Sequence, residues 1–165
     1  MQFINYFSAS IVCFLGLIIG MLLIRIAPEE QKPLEKYFAW SRKAFLLLIF
    51  GFLASYYIKI PFYLAALALY FIFLVFIEYK AGSLLKKSII ISTASGVLFF
   101  ISSENTNLFA ISSGLILLYN ICTSSLVYSI KKKNYFQIIF YNMGFLLLSN
   151  ILFLLDYHFS FLIFK

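Results

Sequence analysis

Residues 44–77 read AFLLLIFGFLASYYIKIPFYLAALALYFIFLVFI, and the number of membrane crossings turns on Lys59-Ile60-Pro61 in its middle. Taken as one long kinked helix, the stretch would leave Lys59 near the centre of a bilayer. That placement costs about 2.5–3.5 kcal/mol on insertion scales. Taken as a tight hairpin of two spans, 44–58 and 62–77, it puts Lys59 at the far surface, where its aliphatic stem can snorkel. Each arm is short for a hydrocarbon core of about 30 Å, so flanking residues must contribute to the crossing.

The rest of the chain decides between the two readings. Apolar runs also cover residues 3–26, 88–103, 108–130 and 134–155. A hairpin at Lys59 makes six spans, with the N- and C-termini on the same side. If that side is outside, Arg25, Lys32, Lys36, Arg42, Lys43, Lys80, Lys86, Lys87 and Lys131 to Lys133 all face the cytoplasm. Those are eleven of the thirteen basic residues, and only Lys59 and Lys165 fall outside. Merging the two arms would move the later lysine clusters to the opposite face from Arg25 and Lys32. The positive-inside rule therefore favours six spans with both termini outside. No Lys or Arg precedes the first span and Arg25 closes it, the reverse of a secretory signal, so it reads as an uncleaved span. The net charge of +7 is accounted for by orientation and by attraction to anionic headgroups. No nucleic-acid partner is invoked.

Composition agrees. Of 165 residues, 64% are hydrophobic and 12% charged, against about 25% charged in an ordinary soluble domain. A water-soluble fold of this length would expose large apolar patches. Residues 1–165 are thus expected to form a single polytopic domain, an all-α bundle of six transmembrane helices in the cell membrane.

Between the spans, Pro28 and Pro33 bracket a turn. Pro33 suits the first turn of a helix, where its missing N–H costs nothing. The segment 34–43 mixes charges with Tyr37, Phe38 and Trp40, as membrane interfaces do. Residues 104–107 form a short polar turn. The aromatic tail 156–165 is expected along the outer interface.

Motifs for chemistry are sparse. Cys13 and Cys122 lie inside apolar runs without a C-x-x-C partner, so they read as small packing residues. His158 is the sole histidine, which gives no metal cluster and no haem ligand within a span. No Ser–His pair, aspartate pair or zinc site of a membrane protease is present. The chain is expected to be no enzyme and to need no cofactor. The Phe and Tyr abundance is read as compositional, not as a ligand cage.

Two sets of residues invite closer reading. Gly16 and Gly20 form a GxxxG in the first span, which lets another helix backbone approach, from this chain or from a second copy. Ser92, Ser95 and Gly96 extend the small-residue packing set in the fourth span. Asn120, Ser124 and Tyr128, four apart in the fifth span, share a face, and Gln137, Tyr141 and Asn142 add polarity in the sixth. These six residues either hydrogen-bond between helices or line a polar path between spans four, five and six. No ionisable residue is placed at mid-depth by this layout, since Lys59, Glu78, Glu104 and Asp156 all fall near span ends. That favours packing, because functional pathways usually carry such a charge. The expected function is an accessory or scaffolding membrane subunit that packs against other membrane proteins. The alternative is a small permease for a neutral solute.

Overall fold

The computed structural model describes residues 2–27, 29, 31–131 and 135–163. The described residues form seven helices and no strand: α1 (Phe3–Ile26), α2 (Gln31–Tyr57), α3 (Pro61–Lys80), α4 (Leu84–Ser102), α5 (Thr106–Lys131), α6 (Tyr135–Asn142) and α7 (Gly144–Ile163). Among the described residues six segments are long and apolar enough to cross a membrane: Phe3–Ile26, Pro33–Tyr57, Pro61–Lys80, Leu84–Ser102, Thr106–Tyr128 and Phe136–His158. The protein thus has the make-up of a multi-pass membrane protein. Lys132, Lys133, Asn134 and Lys165, like Pro28, lie outside the described residues.

The hairpin at Lys59 is formed. The amide of Ile60 donates to the carbonyl of Tyr57 at 3.0 Å, and Pro61 occupies the first turn of α3, where proline needs no acceptor. The two arms run antiparallel: Tyr57 stacks on Tyr63, Phe50 meets Tyr70 and Phe71, and Arg42 pairs with Glu78. Other helix starts carry recognisable caps. The Ser83 hydroxyl accepts from the Lys86 amide ahead of α4. The Asn105 side chain accepts from the amides of Asn107 and Leu108 at the start of α5, as N-caps do.

The helix boundaries depart from the sequence reading most at α2 and in the sixth span. Segment 34–43 is not a separate interfacial piece, because α2 runs without a break from Gln31 to Tyr57. Nothing between Lys43 and Ala44 interrupts the helix, and the charged residues simply extend it. The sixth span is broken at Met143, whose amide bonds back three residues to Phe140 at 3.2 Å instead of four. There Gly144 is pressed against the Thr93 side chain of α4. The Asn142 amide donates to the Ile138 carbonyl at 2.7 Å. Side-chain competition and close helix contact of this kind are recognised causes of a helix break. Beyond Leu155 the chain stays helical to Ile163.

The central helix is α5, packed by α1, α2, α4 and α6, while α7 lies chiefly on α4. Tyr6, Phe99, Phe109, Phe145 and Phe153 form an aromatic core where α1, α4, α5 and α7 meet. α3 is the least enclosed of the six candidate spans. It leans chiefly on its neighbours α2 and α4, with Leu74 fully buried and Phe62, Leu69, Ile72 and Phe76 exposed.

Candidate functional site

Most of the polar side chains singled out in the spans lie in two helix seams. The first joins α1 to α5. A Cβ added to Gly16 would sit 2.6 Å from the Leu117 carbonyl oxygen, and one on Gly20 would collide with Ser124 Oγ and the Ile121 carbonyl. The two glycines therefore allow backbone contact within this chain. Asn120, fully buried, donates through Nδ2 to the Cys13 carbonyl at 2.9 Å. The Cys13 thiol donates to the Ser113 carbonyl at 3.2 Å, and the Ser125 hydroxyl to the Gly20 carbonyl at 2.9 Å. Ser124 Oγ donates within its own helix to Ile121 at 3.1 Å.

The second seam joins α4 to α6 and α7. Gly96 faces the Phe145 carbonyl, which a Cβ would meet at 3.0 Å. Ser92 and Ser95 are buried beside it, and Ser95 donates to the Ser92 carbonyl at 2.6 Å. Ser88 donates to Asn142 Oδ1 at 3.2 Å. Asn150 bridges to Ser10 of α1 at 3.2 Å, and the Tyr6 hydroxyl donates to the Ser149 carbonyl at 3.0 Å.

The six residues considered for a polar path are not brought together. Asn120 and Ser124 face α1, and Asn142 faces α4. Tyr128 packs with the small cluster of Met21, Leu85, Val127 and Ile138. Gln137 and Tyr141 are exposed on the outer side of α6.

A different centre has the stronger chemical character. Arg42 is only 3% exposed. Its Nη2 donates to Glu78 Oε1 in an ion pair between α2 and α3. Among the described residues Nη1 of Arg42 is buried without a hydrogen-bond partner, and the Tyr119 hydroxyl is buried near it, one turn from Thr123 on α5. A cavity of about 150 Å³ opens here, with Arg42, Lys43, Glu78, Tyr79 and Tyr119 as its polar lining and Leu46, Phe71, Val75 and Ile91 among its apolar walls. The sequence reading placed Arg42 in an interfacial segment and Glu78 near a span end, with no ionisable residue at mid-depth. The signal for the pair was nonetheless present: Arg42 and Glu78 stand at matching distances on either side of the Lys59-Ile60-Pro61 turn, so an antiparallel hairpin sets them face to face.

At the other end of the hairpin, a cavity of about 450 Å³ is lined by Tyr57, Tyr63, Tyr70, Glu104 and Asp156. Tyr57 donates to Glu104 Oε2 at 2.6 Å, and Tyr70 to the Ala94 carbonyl at 2.8 Å. Among the described residues no group of three His, Cys, Asp or Glu side chains is placed to hold a metal. The chain matches no protein-family model, no curated protein and no solved structure.

Proposed function

We propose that this is a non-catalytic protein of the cell membrane, inserted with both termini outside, that serves as an accessory or scaffolding subunit for other membrane proteins. The observation that carries the reading is how its polar atoms are used. The Nδ2 groups of Asn120 and Asn150 and the side chains of Asn142, Ser88 and Ser125 make hydrogen bonds between helices, to backbone or to a facing polar side chain. A permeation path needs such groups turned towards a shared lumen, whereas here they close the seams. The outward faces of α3 and α7, in contrast, present Leu69, Ile72, Phe76, Leu147, Ile151 and Leu154. These faces suit lipid and the apolar flanks of partner helices, since van der Waals packing drives association within a bilayer. The six-span layout supports the orientation, with Lys59 at one end of the bundle and Lys80, Lys86 and Lys87 at the other.

The test is mild extraction of the tagged chain into nanodiscs, followed by identification of co-purifying membrane proteins. A stoichiometric partner that is lost when Leu69 and Ile72 are replaced by Ala is the expected result. A homogeneous isolated chain that carries solute flux in sealed vesicles would overturn the reading in favour of the permease.

A further inference from the structure

The cavity at Arg42 continues along the membrane-facing side of α2. Lys43 and Leu47 line both that cavity and a long shallow groove of about 780 Å³. The groove follows one face of α2 at helical spacing, through Trp40, Lys43, Leu47, Gly51 and Ser55. From Trp40 to Ser55 it extends about 22 Å at 1.5 Å per residue. One leaflet's acyl region is about 15 Å deep, half of the hydrocarbon core, so the groove has room for an extended acyl chain. Gly51 contributes to this room: a Cβ placed there meets nothing within 4 Å.

The polar end of this continuous surface carries a donor that has no acceptor among the described residues. Arg42 offers Nη1, buried and without an acceptor among the described residues, and Tyr119 its buried hydroxyl, and both residues line the cavity. Glu78 holds the other edge of the guanidinium and orients it. Two cations, Arg42 and Lys43, stand against one carboxylate, so the cavity keeps a net positive charge. On the far side of Arg42, Glu35 and Lys36 line a neighbouring cavity with opposite charges and leave that balance unchanged. A buried guanidinium N–H without an acceptor is costly, and a phosphate oxygen is the acceptor for which its fork is suited.

We propose that this surface binds an anionic glycerophospholipid, with its phosphate at Arg42, Lys43 and Tyr119 and one acyl chain along the α2 groove. The lipid comes from the leaflet at the basic end of the bundle, the one that carries anionic lipid in the proposed orientation. The site rests on the membrane reading above but requires no partner protein, so it is tested on the isolated chain.

The experiment uses the full chain in nanodiscs of equal phosphatidylglycerol and phosphatidylcholine, with retained lipid identified by native mass spectrometry on release. Phosphatidylglycerol should be retained in preference by about fivefold or more, the factor expected per contributing cation. Lys43→Gln, at an exposed position, should bring the ratio close to that of the bulk discs. Tyr119→Phe should lower it by a smaller factor, and Leu47→Trp, which fills the junction of cavity and groove, should reduce retention of both lipids. Arg42→Gln should abolish the preference, and if that variant does not fold the other three carry the test. Equal retention of the two lipids by the native chain would overturn the proposal. So would an unchanged ratio in both Lys43→Gln and Tyr119→Phe. Inorganic phosphate is added to phosphatidylcholine discs as a separate arm. If it raises the thermal midpoint as much as phosphatidylglycerol does, the site takes a free anion and the lipid assignment fails.

Discussion

Asn120 of α5 donates its side-chain amide to the main-chain carbonyl of Cys13 on α1, at 2.9 Å. The carbonyl at Cys13 is reachable only because Gly16 and Gly20, on the same stripe of α1, let the two backbones close on each other. Small residues and a polar clamp thus act on one seam, and a bond of this kind contributes about 0.6 kcal/mol on average within a bilayer. The close packing that surrounds it contributes more. Disturbing the glycines should therefore matter more than deleting the amide.

Gly20→Ala should destabilise the fold by about 1–3 kcal/mol, the usual range for overpacking a tight contact. Its Cβ would overlap Ser124 Oγ and the Ile121 carbonyl, both on the facing helix. Gly16→Ala should behave similarly. Gly114→Ala is the matched control, because a Cβ there meets nothing within 4 Å and alanine is the better helix former. Thermal unfolding in detergent, followed by tryptophan fluorescence or loss of monodispersity, reads all three. Equal midpoints for Gly20→Ala and Gly114→Ala would show that the α1–α5 contact is looser than described.

How much of this was legible in the sequence depends on the range of the signal. The six apolar helices were, because hydropathy is local and the lysine clusters favour a turn at Lys59. The glycine pair at 16 and 20 also announced a close contact, although its partner helix was open. The burial of Arg42 was hidden by its neighbours: Lys36 and Lys43 flank it in a charged stretch, and only the rotational phase of α2 separates Arg42, inside, from Lys43, outside. The break at Met143 has no proline to mark it, and the close neighbour of Gly144 there, Thr93, belongs to a different helix. The cavity lined by Tyr57, Glu104 and Asp156 gathers residues from three distant segments, which no periodicity connects.

The Arg42–Glu78 pair should show strong energetic coupling. Removing one partner leaves the other charge buried and alone, at a cost of about 3–5 kcal/mol. Arg42→Met and Glu78→Leu should each lower the thermal midpoint substantially, while the double variant should recover much of the loss. Such recovery is expected because apolar residues can replace a buried ion pair with little penalty. Additive effects of the two substitutions would mean that the pair is solvated and uncoupled.

Topology has a direct check at the two ends of α4. Lys86 near its start and Asn105 just past its end are both accessible in the fold. Single cysteines at these positions, in a background lacking Cys13 and Cys122, should react with membrane-impermeant maleimide from opposite sides of sealed vesicles. Asn105 should be reached from outside and Lys86 only after the membrane is opened. Reaction of both from one side would sink the six-span arrangement.

The choice between packing and path can be made at Asn120, Ser124 and Asn142. All three side chains are fully buried, yet they belong to two different seams. If their role is to hold helices together, cysteines placed there in the same Cys13→Ala, Cys122→Ala background should resist small hydrophilic thiol reagents. At Cys13 the background removes one weak bond, from the thiol to the Ser113 carbonyl, and its stability serves as the reference for the cysteine variants. Leucine substitutions give a second, independent readout. At Asn120, leucine removes the bond to Cys13 and presents a branched side chain beside Gly16, whose Cβ position lies 3.2 Å from the Asn120 Cβ. The expected result is a clear loss of stability from the strained seam, together with any activity lost only in proportion to folded protein. A residue lining a path would behave in the opposite way: near-normal stability, blocked flux, and protection of its cysteine by the transported solute. Rapid labelling at two of the three positions, one in each seam, would require an aqueous space that crosses α5, and the scaffolding reading would then have to be given up.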